Sequence, residues 1–525
     1  MGSTAGRPSD VPDSVVAAPR RWLVAIVSGG FFLLLAYILL QQAWVHRFDI
    51  LALALLAAAF TGAVVSLDGI SGRLRWTERN RRIAFAIGFL VVFSLQLMFV
   101  RAIYTTVGWD PRAVFAAAID LSNFTQSSVA SHTPEVYRAP GLSIPYWSSY
   151  PNNLMLAFTY ELIFRVCATL GFPNPVFLCT ALNVLVLDIA VLLAAVCARR
   201  LWGRKAGRIT LLVAVPFLGF SPWISLAYSD TIATVFPVLL LYLYIRYVES
   251  TRATQYLYAA AIAATSAAGY LFKPHVLAMT LAIGIVHGLS PRSGSSLMVK
   301  LGKLATFGLV ALMVLGAFGA YRGHRLKDRI PTSQIEASRF PITHWIAMSL
   351  NDARGGFNKK DVDEQRALIG LEAKNERNVR VIKQRLSELG PSGYAGFLHR
   401  KLSWISTDGT FYWQREGIPV DYVPLSDDRY ARRLQSVLFR EGEHFRWFEM
   451  TANAAWLAVL AWMVAPLATR RRFEADRMIL IARLAVIVLL LMLLVLEGRS
   501  RYLISFVPLF VMLGSYYLSG ARKTP

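Results

Sequence analysis

The sequence is short of cysteine, and it lacks the motifs that mark soluble nucleotide-binding domains. Its three cysteines, Cys167, Cys179 and Cys197, show no CxxC spacing, so they indicate neither a disulfide framework nor a zinc site. There is no internal repeat and no glycine-rich phosphate loop, which leaves no ordinary cytosolic site for ATP or a nucleotide sugar. These absences direct attention to the apolar stretches of the chain.

Apolar residues dominate the composition. Hydrophobic residues make up 55% of the 525 positions, and the mean hydropathy of +0.45 is typical of a polytopic membrane protein. Acidic residues are scarce: 55 Lys and Arg stand against 32 Asp and Glu, for a net charge of +23. The basic residues fall largely in short links between apolar runs. Cytoplasmic retention of positive charge explains them better than binding to nucleic acid, which we do not expect.

The apolar runs predict an all-α fold of about twelve transmembrane helices. Basic clusters alternate with these runs in such a way that the clusters all fall on one side of the membrane, which places both termini in the cytoplasm. The predicted spans are residues 22–40, 50–67, 83–100, 175–197, 209–227, 231–247, 255–272, 275–290, 304–321, 451–468, 478–496 and 502–518.

Segment 153–171 is a further apolar run that complicates this count. It carries Glu161 and Arg165, and counting it as a span would move the basic run 198–208 to the outer side. We therefore predict that it forms an amphipathic helix along the outer interface of the membrane. The alternative is a true span with a re-entrant partner elsewhere in the chain.

Two large segments then lie on the outer face, and function is expected there because the cytoplasmic links are all short. The second contains a predicted amphipathic helix, 361–389, which we expect to cap the membrane domain. The predicted units are a disordered cytoplasmic tail (1–21), a membrane core (22–322) that includes the first outer loop (101–174) with amphipathic juxtamembrane helices, a large outer segment (323–450), and C-terminal spans with a short cytoplasmic tail (451–525).

Asp110 follows the third apolar run by a few residues, within Gly108-Trp109-Asp110-Pro111. At the outer boundary of the membrane its carboxylate could accept a proton from a hydroxyl group while a lipid-borne substrate lies in the bilayer. An Asp that precedes a Pro is also a common helix N-cap, here opening the helix 112–120. The two interpretations are compatible.

Two further charged residues occupy predicted outer turns. Asp230, which lies beside Trp223 and Tyr228, either orients an acceptor or a cation or is simply a hydrophilic turn residue. Lys273 precedes Pro274 in the next outer turn. It either anchors a phosphate or extends to the lipid headgroups.

A late outer turn contains two arginines, against the positive-inside trend. Arg499 and Arg501 suit a lipid phosphate, because forked guanidinium groups bind phosphate oxygens in pairs, and Glu497 would fix one of them in place. The alternative is an exposed, ion-paired turn.

Aromatic and amide side chains of the first outer loop could bind a sugar. Asn152 and Asn153 either donate hydrogen bonds to sugar hydroxyls or cap the helix that begins there. An aromatic belt at the membrane interface would explain the ring-bearing residues equally well. Those residues are Tyr137, Tyr146, Trp147 and Tyr150.

Taken in order, these features resemble the membrane-embedded glycosyltransferases of the GT-C class, in particular bacterial relatives of the protein mannosyltransferase and aminoarabinose transferase group. The similarity rests on the order of the motifs, and it covers about residues 83–321 and the last two spans. The matching points are Asp110, the pair Tyr150-Pro151, the span ending in a basic run at 199–208, Pro222 with Asp230, Lys273-Pro274, and the turn with Glu497, Arg499, Arg501 and Tyr502.

The resemblance implies an inverting transfer of a sugar from a polyprenyl-phosphate-linked donor to a cell-envelope acceptor at the outer face of the bacterial cytoplasmic membrane. Asp110 would deprotonate the acceptor hydroxyl, and Lys273, Arg499 and Arg501 would neutralise the departing lipid phosphate. The remaining residues, Asp230, Glu497, Tyr150, Asn152 and Asn153, would bind donor or acceptor. No cofactor or metal ligand is expected, and a divalent cation is optional.

The chain departs from this family at several points. It has two additional spans before the Asp-bearing loop, no Asp-x-Asp in that loop, the large segment 323–450 between later spans, and no soluble C-terminal domain. These departures bear on the identity of the acceptor more than on that of the donor. Two alternatives stay open. A flippase for lipid-linked glycans would need polar residues in mid-span, of which Asp188 is the main one. The other alternative is a non-catalytic GT-C-like scaffold for envelope synthesis.

Overall fold

The computed structural model describes seven ranges of the chain. Most of the predicted tail 1–21 lies outside the described residues, and so does the part of the first outer loop that contains Tyr137. The described residues are 19–73, 77–122, 144–290, 296–351, 355–418, 422–468 and 474–520.

These residues fold into helices joined by short turns, as predicted. In the described ranges the only strand-like pairing is an isolated bridge between Thr105 and Pro424. The α-helices are α1 (Arg21–Val45), α2 (Ile50–Arg73), α3 (Glu78–Ala102), α4 (Trp109–Ser122), α5 (Ile144–Ser149), α6 (Leu154–Leu170), α7 (Pro175–Trp202), α8 (Arg204–Ala214), α9 (Ser229–Ile232), α10 (Val235–Glu249), α11 (Arg252–Phe272), α12 (Leu277–Leu289), α13 (Leu297–Leu326), α14 (Thr332–Ser338), α15 (Ile342–Ser349), α16 (Lys359–Arg366), α17 (Leu371–Ser406), α18 (Arg429–Leu438), α19 (Phe445–Val464), α20 (Arg477–Val495) and α21 (Val507–Leu518).

Ten helical segments among the described residues are long and apolar enough to cross a membrane. This confirms the polytopic architecture. Apart from Pro151–Leu170, each of the ten coincides with a predicted span. Of the other predicted spans, α11 is long enough but contains several polar residues, and the α12 segment, Pro274–Leu289, is shorter than a typical span.

The predicted span 209–227 is a broken helix. α8 begins earlier than predicted and gives way to a π-helical turn and then a 3-10 turn, because prolines interrupt it. Non-helical backbone inside a membrane domain needs partners from the protein. Gln96 of α3 donates a hydrogen bond to the carbonyl of Gly219 at 2.9 Å, and Asn183 of α7 donates one to the carbonyl of Ile224 at 3.0 Å.

The helical bundle has two chemically different ends. At the first, which we call the basic end, Arg208 at the start of α8 pairs with Asp68 at the end of α2 at 2.9 Å. Arg200 near the end of α7 pairs there with Glu249 at the end of α10 at 2.6 Å. At the opposite end, which we call the site end, lie the Asp110 loop and the turns that lead into α10 and α21. Two of the basic links predicted to share one side, at Arg200 and Arg208, thus lie at the same end of the bundle.

α6 begins and ends at the site end. Asn153, immediately before α6, contacts Tyr228 at the site end. α7 follows α6 after a short link and starts near the same end, since its Asn183 lies against the turn before Tyr228, whereas its Arg200 is at the basic end. Glu161 of α6 is buried and pairs with arginines of α6 and α13. The length and composition of Pro151–Leu170 also allow it to cross a membrane, so the interfacial helix stays a prediction.

The large outer segment caps the site end. The single helix predicted for 361–389 is instead two helices, α16 and α17, separated at Gly370, whose φ of +88° is favourable only for glycine. α17 continues past the predicted end, across a kink at Gly390 and Pro391, to Ser406. It packs against α1, α20 and the 3-10 turn before α21.

The most deeply buried span leads out of the candidate site. The most apolar window of Ser500–Leu518 is 83% buried within the protein, and that of Arg477–Val495 is 61% buried. The corresponding window of Leu297–Leu326 is 0% buried within the protein. The turn with Glu497 and Arg501 therefore joins two core helices and is held from both sides.

Candidate functional site

Asp110 lies between two tyrosine hydroxyls. Helix α4 starts at Trp109, so Asp110 is inside the first turn and its carboxylate is engaged by side chains. The Tyr146 hydroxyl donates to Oδ1 at 2.9 Å, and the Tyr228 hydroxyl lies 3.2 Å from Oδ2. Asn153 Nδ2 donates to the Tyr146 hydroxyl at 2.9 Å. A side-chain network thus takes the place of the N-cap role considered from the sequence.

Both tyrosines are fixed as hydrogen-bond donors to this carboxylate. Burial, and then the negative charge of Asp110, raise the pKa of Tyr146 well above its ordinary value. The same two causes, in the same order, raise the pKa of Tyr228. The phenols therefore stay protonated at any physiological pH and hold the Asp110 carboxylate in one orientation.

Asp230 is the centre of a buried ion cluster. Its Oδ1 lies 2.6 Å from Lys273 Nζ, and its Oδ2 lies 3.3 Å from Arg501 Nε. The carboxylate is only 2% exposed, so Asp230 is not a simple hydrophilic turn residue. Lys273 points inward to this carboxylate, so the alternative in which it extends to lipid headgroups does not hold.

Glu497 and Arg499 extend the cluster. Arg499 Nε lies 2.6 Å from Glu497 Oε1, and Arg499 Nη1 lies 3.2 Å from Glu416 Oε1. The second oxygen of Glu416 lies 3.3 Å from Arg501 Nε. The turn is therefore ion-paired, as one interpretation of the sequence held, but it is buried rather than exposed.

Tyr228 connects Asp110 to the cations. Its hydroxyl reaches Asp110, while Lys273 Nζ lies 5.4 Å and the Arg501 guanidinium 5.8 Å from the centre of its ring. Lys273 Nζ also lies 4.4 Å from the ring centre of Tyr502. These distances are in the range of cation–π attraction. The predicted base and the predicted phosphate-binding cations thus belong to one site.

The cations of the cluster are more accessible than the central carboxylate. The side chains of Lys273 and Arg499 are 13% and 17% exposed, against 2% for Asp230. The carboxylate therefore lies behind the cationic groups and orients them. Together, Asp230, Glu416 and Glu497 match the charges of Lys273, Arg499 and Arg501.

The remaining predicted residues lie around Asp110. The ring centres of Tyr150 and Tyr146 are 5.2 Å apart, and the guanidinium of Arg366 lies 5.7 Å from the Tyr150 ring. Asn152 is exposed, and its Nδ2 lies 3.4 Å from Asn153 Oδ1. Asn153 occupies the N-cap position of α6, but its side chain makes no capping bond and serves the Asp110 network instead.

Glu416 is a site residue that the sequence did not identify. It lies in a π-helical turn preceded by Phe411 and Tyr412, which both have positive φ (53° and 64°), an unusual conformation for residues with a side chain. Asp408 holds this turn by accepting hydrogen bonds from the backbone N–H of Thr410 and Tyr412 at 2.8 and 2.9 Å. The only sequence signal was the Asp-Gly turn at 408–409, and nothing in it paired Glu416 with the distant arginines.

Lys401 of α17 was also missed. Its Nζ donates to the carbonyls of Leu494 and Leu496 at 2.9 and 2.7 Å, at the end of α20, and to that of Ser349 at 3.3 Å. A lysine satisfies the free carbonyls at a helix C-terminus. Lys401 thereby fixes the segment that leads directly into Glu497.

Asp188, the carboxylate in mid-span, is engaged inside the protein. Gln96 Nε2 donates to Asp188 Oδ1 at 2.9 Å and also to the carbonyl of Gly219 in the broken helix. Asp188 therefore orients the Gln96 amide, which in turn satisfies a carbonyl of the irregular backbone. Among the described residues, no group of three or more His, Cys, Asp and Glu side chains is arranged to hold a metal ion.

The charge of Glu497 predicts a pH-dependent stability. Burial opposes its ionisation, but Arg499, Arg501 and Lys273 together outweigh burial and lower the pKa of Glu497 below the ordinary value of 4.5. A pKa lowered by folding contributes stability above about pH 4.5, and this is lost as the pH falls through the folded-state pKa. We expect wild type to exceed Glu497→Gln in unfolding temperature at pH 7, with the difference narrowing below pH 4.5.

The control is Glu376→Gln, which alters an exposed pair with Arg380 at 3.9 Å. It should change the unfolding temperature little at any pH. If the difference in unfolding temperature between wild type and Glu497→Gln stays constant from pH 7 to about 3.5, the assigned pairing of Glu497 with Arg499 is contradicted.

Comparison with known proteins gives a family but no activity. A family model described as conserved hypothetical integral membrane protein matches residues 40–522, a range that includes Asp110, the cation cluster and the outer segment. None of the curated proteins compared with the chain matches it. The chain is a multi-pass integral membrane protein, and it belongs to this family of conserved hypothetical integral membrane proteins.

Proposed function

We propose that this protein transfers a sugar from a polyprenyl-phosphate-linked donor to a cell-envelope acceptor at the outer face of the bacterial cytoplasmic membrane. The observation that supports this most directly is that Tyr228 contacts both the predicted base and the predicted cations. Its hydroxyl bonds to Asp110, and its ring lies close to Lys273 and Arg501. The positive-inside bias supports an outer location for the site, since the basic links lie at the other end of the bundle.

In the proposed reaction Asp110 is the general base. Its carboxylate takes the proton of an acceptor hydroxyl, and the hydroxyl oxygen forms a bond to the anomeric carbon of the sugar. The bond between that carbon and the phosphate oxygen breaks, and the lipid phosphate leaves with the electron pair. Tyr146 and Tyr228 orient the carboxylate from two sides, which reduces the cost of aligning it with the acceptor.

The cations act through their fixed positions. Because each of Lys273, Arg499 and Arg501 is paired with a carboxylate, the cluster as a whole adds no excess charge to a buried site. When negative charge develops on the leaving phosphate, the N–H groups of these side chains are already in place, and little reorganisation is needed. Asp230, Glu416 and Glu497 are positioning residues in this scheme.

The first test is the deletion of the gene followed by mass spectrometry of the envelope glycans. We expect one glycan to lose a single sugar type and the wild-type gene to restore it. An unchanged glycan profile would argue against sugar transfer.

Complementation separates the proposal from its alternatives. A scaffold would tolerate changes at both Asp110 and Arg501, so restoration of the glycan by Asp110→Asn/Arg501→Gln would support the scaffold and overturn catalysis. A flippase would need a polar path through the membrane. The engagement of Asp188 with Gln96 gives that alternative no support.

A further inference from the structure

A cavity lies at the basic end of the bundle, away from the candidate site. It has a volume of about 770 Å³ and is enclosed by α10, α11, α12 and α13, with Arg477 of α20 at its margin. Volumes of this size are typical of ligand-binding sites. The proposed transfer reaction uses none of its residues.

The charged residues around this cavity are all basic. Arg252, Lys300, Lys303 and Arg477 contribute to its lining, and none of its described lining residues is Asp or Glu. Glu249, which directly precedes the lining residue Ser250, pairs with Arg200 of α7 at 2.6 Å. An anion that entered would therefore meet several positive charges and no carboxylate in the lining.

Polar residues, among them Ser250, Gln255 and Thr280, line part of the cavity, but exposed leucines form the side of the wall that faces out of the helical bundle. Leu281, Leu301 and Leu304 line the cavity and are 50%, 51% and 67% exposed. α13 supplies two of these leucines, and no part of its most apolar window is buried within the protein. A molecule with hydrocarbon chains could enter sideways from the bilayer, while a water-soluble anion would leave this apolar wall uncovered.

The polar lining is held in place. Lys303 Nζ donates to Gln255 Oε1 and lies 5.5 and 5.9 Å from the ring centres of Tyr247 and Tyr256. Gly284 faces open space, with nothing within 4 Å of the position that a Cβ atom would take. A larger side chain at this lining position would therefore project into unoccupied space.

From this combination we propose that the cavity is a binding site for an anionic membrane phospholipid. The headgroup phosphate lies among Arg252, Lys300 and Lys303, and the acyl chains lie against the leucines of α12 and α13. Basic pockets between transmembrane helices at the positively charged face are suited to such headgroups. The inference is independent of the proposed sugar transfer, because it concerns the opposite end of the bundle.

The test is native mass spectrometry of the full-length protein, titrated with phosphatidylglycerol or with phosphatidylcholine of the same chain length. We expect tight binding of phosphatidylglycerol alone. Arg252→Gln/Lys300→Gln/Lys303→Gln should weaken it about a hundredfold, since each basic residue near a membrane surface contributes to the attraction of anionic lipid. The matched control, Arg199→Gln/Arg204→Gln/Lys205→Gln, removes as many charges at the same end and should bind as wild type.

A second variant leaves the charges intact. Gly284→Trp fills the cavity and should also abolish phosphatidylglycerol binding, provided that its unfolding temperature matches wild type. Equal binding of the two lipids, or wild-type binding by the triple variant, would overturn the proposal. Preferential binding of undecaprenyl phosphate over phosphatidylglycerol would reassign the cavity to the carrier lipid. Competition by millimolar inorganic phosphate would show a headgroup-only site and refute the lipid.

Discussion

Asp110→Asn is expected to lower sugar transfer by about 10²- to 10⁴-fold, the usual contribution of a general base. The Asn side chain keeps one oxygen that can accept a hydrogen bond from one tyrosine, and its Nδ2 can donate to the hydroxyl of the other, so the fold and the binding of the lipid donor should be retained. The measurement is turnover by purified protein with a panel of synthetic polyprenyl-phosphate hexoses and pentoses, beside donor binding by the same sample.

Asp120→Asn is the matched control for this experiment. Asp120 belongs to the same helix, is 37% exposed and pairs with Arg329 outside the site. This variant should turn over like wild type. Undiminished turnover by Asp110→Asn would remove Asp110 from the role of base and leave it as a residue that positions the two tyrosines.

Asp230→Ala is expected to destabilise the protein by about 3–5 kcal/mol, the usual cost of removing one partner from a buried ion pair. The reason is that Lys273 and Arg501 would keep their charges in a buried position without this carboxylate. The measurement is the free energy of unfolding in detergent. An exposed pair offers the control, since Asp363→Ala, which removes the partner of Lys359, should have little effect.

A double variant distinguishes charge from packing in this cluster. Asp230→Leu/Lys273→Met removes both charges together, and Arg501 keeps Glu416 as a partner. Replacement of a buried pair by apolar residues of similar size is often neutral, so the double variant should recover much of the lost stability. If it proves no more stable than Asp230→Ala, unpaired charge is not the cause of the loss. Sugar transfer should stay low in both variants.

Several individual residues show how far the sequence led. Asp110 and Lys273 could be found because each is a charged residue at the end of an apolar run. Charged side chains are costly within a membrane, so one that lies next to a span is a candidate for a functional role. Their partners could not be found in the same way. Glu416 lies beyond the amphipathic stretch 361–389 of the large outer segment, where no pattern singled it out. Tyr228 was noted only as a neighbour of Asp230.

The same limit applies to the alternatives considered for each residue. Asp110 before a Pro fits an N-cap, and Asn153 before α6 fits a helix cap, because capping depends on local sequence alone. In the structure both side chains turn away from the helix ends to a tyrosine pair contributed by two other segments. Local sequence thus predicted a capping role for each residue. Contacts with segments distant in the chain gave each side chain a different role.

The sequence by itself determined the class of this protein, the positions of most of its spans, and the placement of basic residues in the short links between them. These features follow from hydrocarbon thickness and from the cost of moving positive charge across a membrane, which act on each segment separately. Only the tertiary structure decided that the span at 209–227 is broken and that Glu416 joins Arg499 to Arg501. Such pairings depend on which helices become neighbours, and that choice depends on packing across the whole chain.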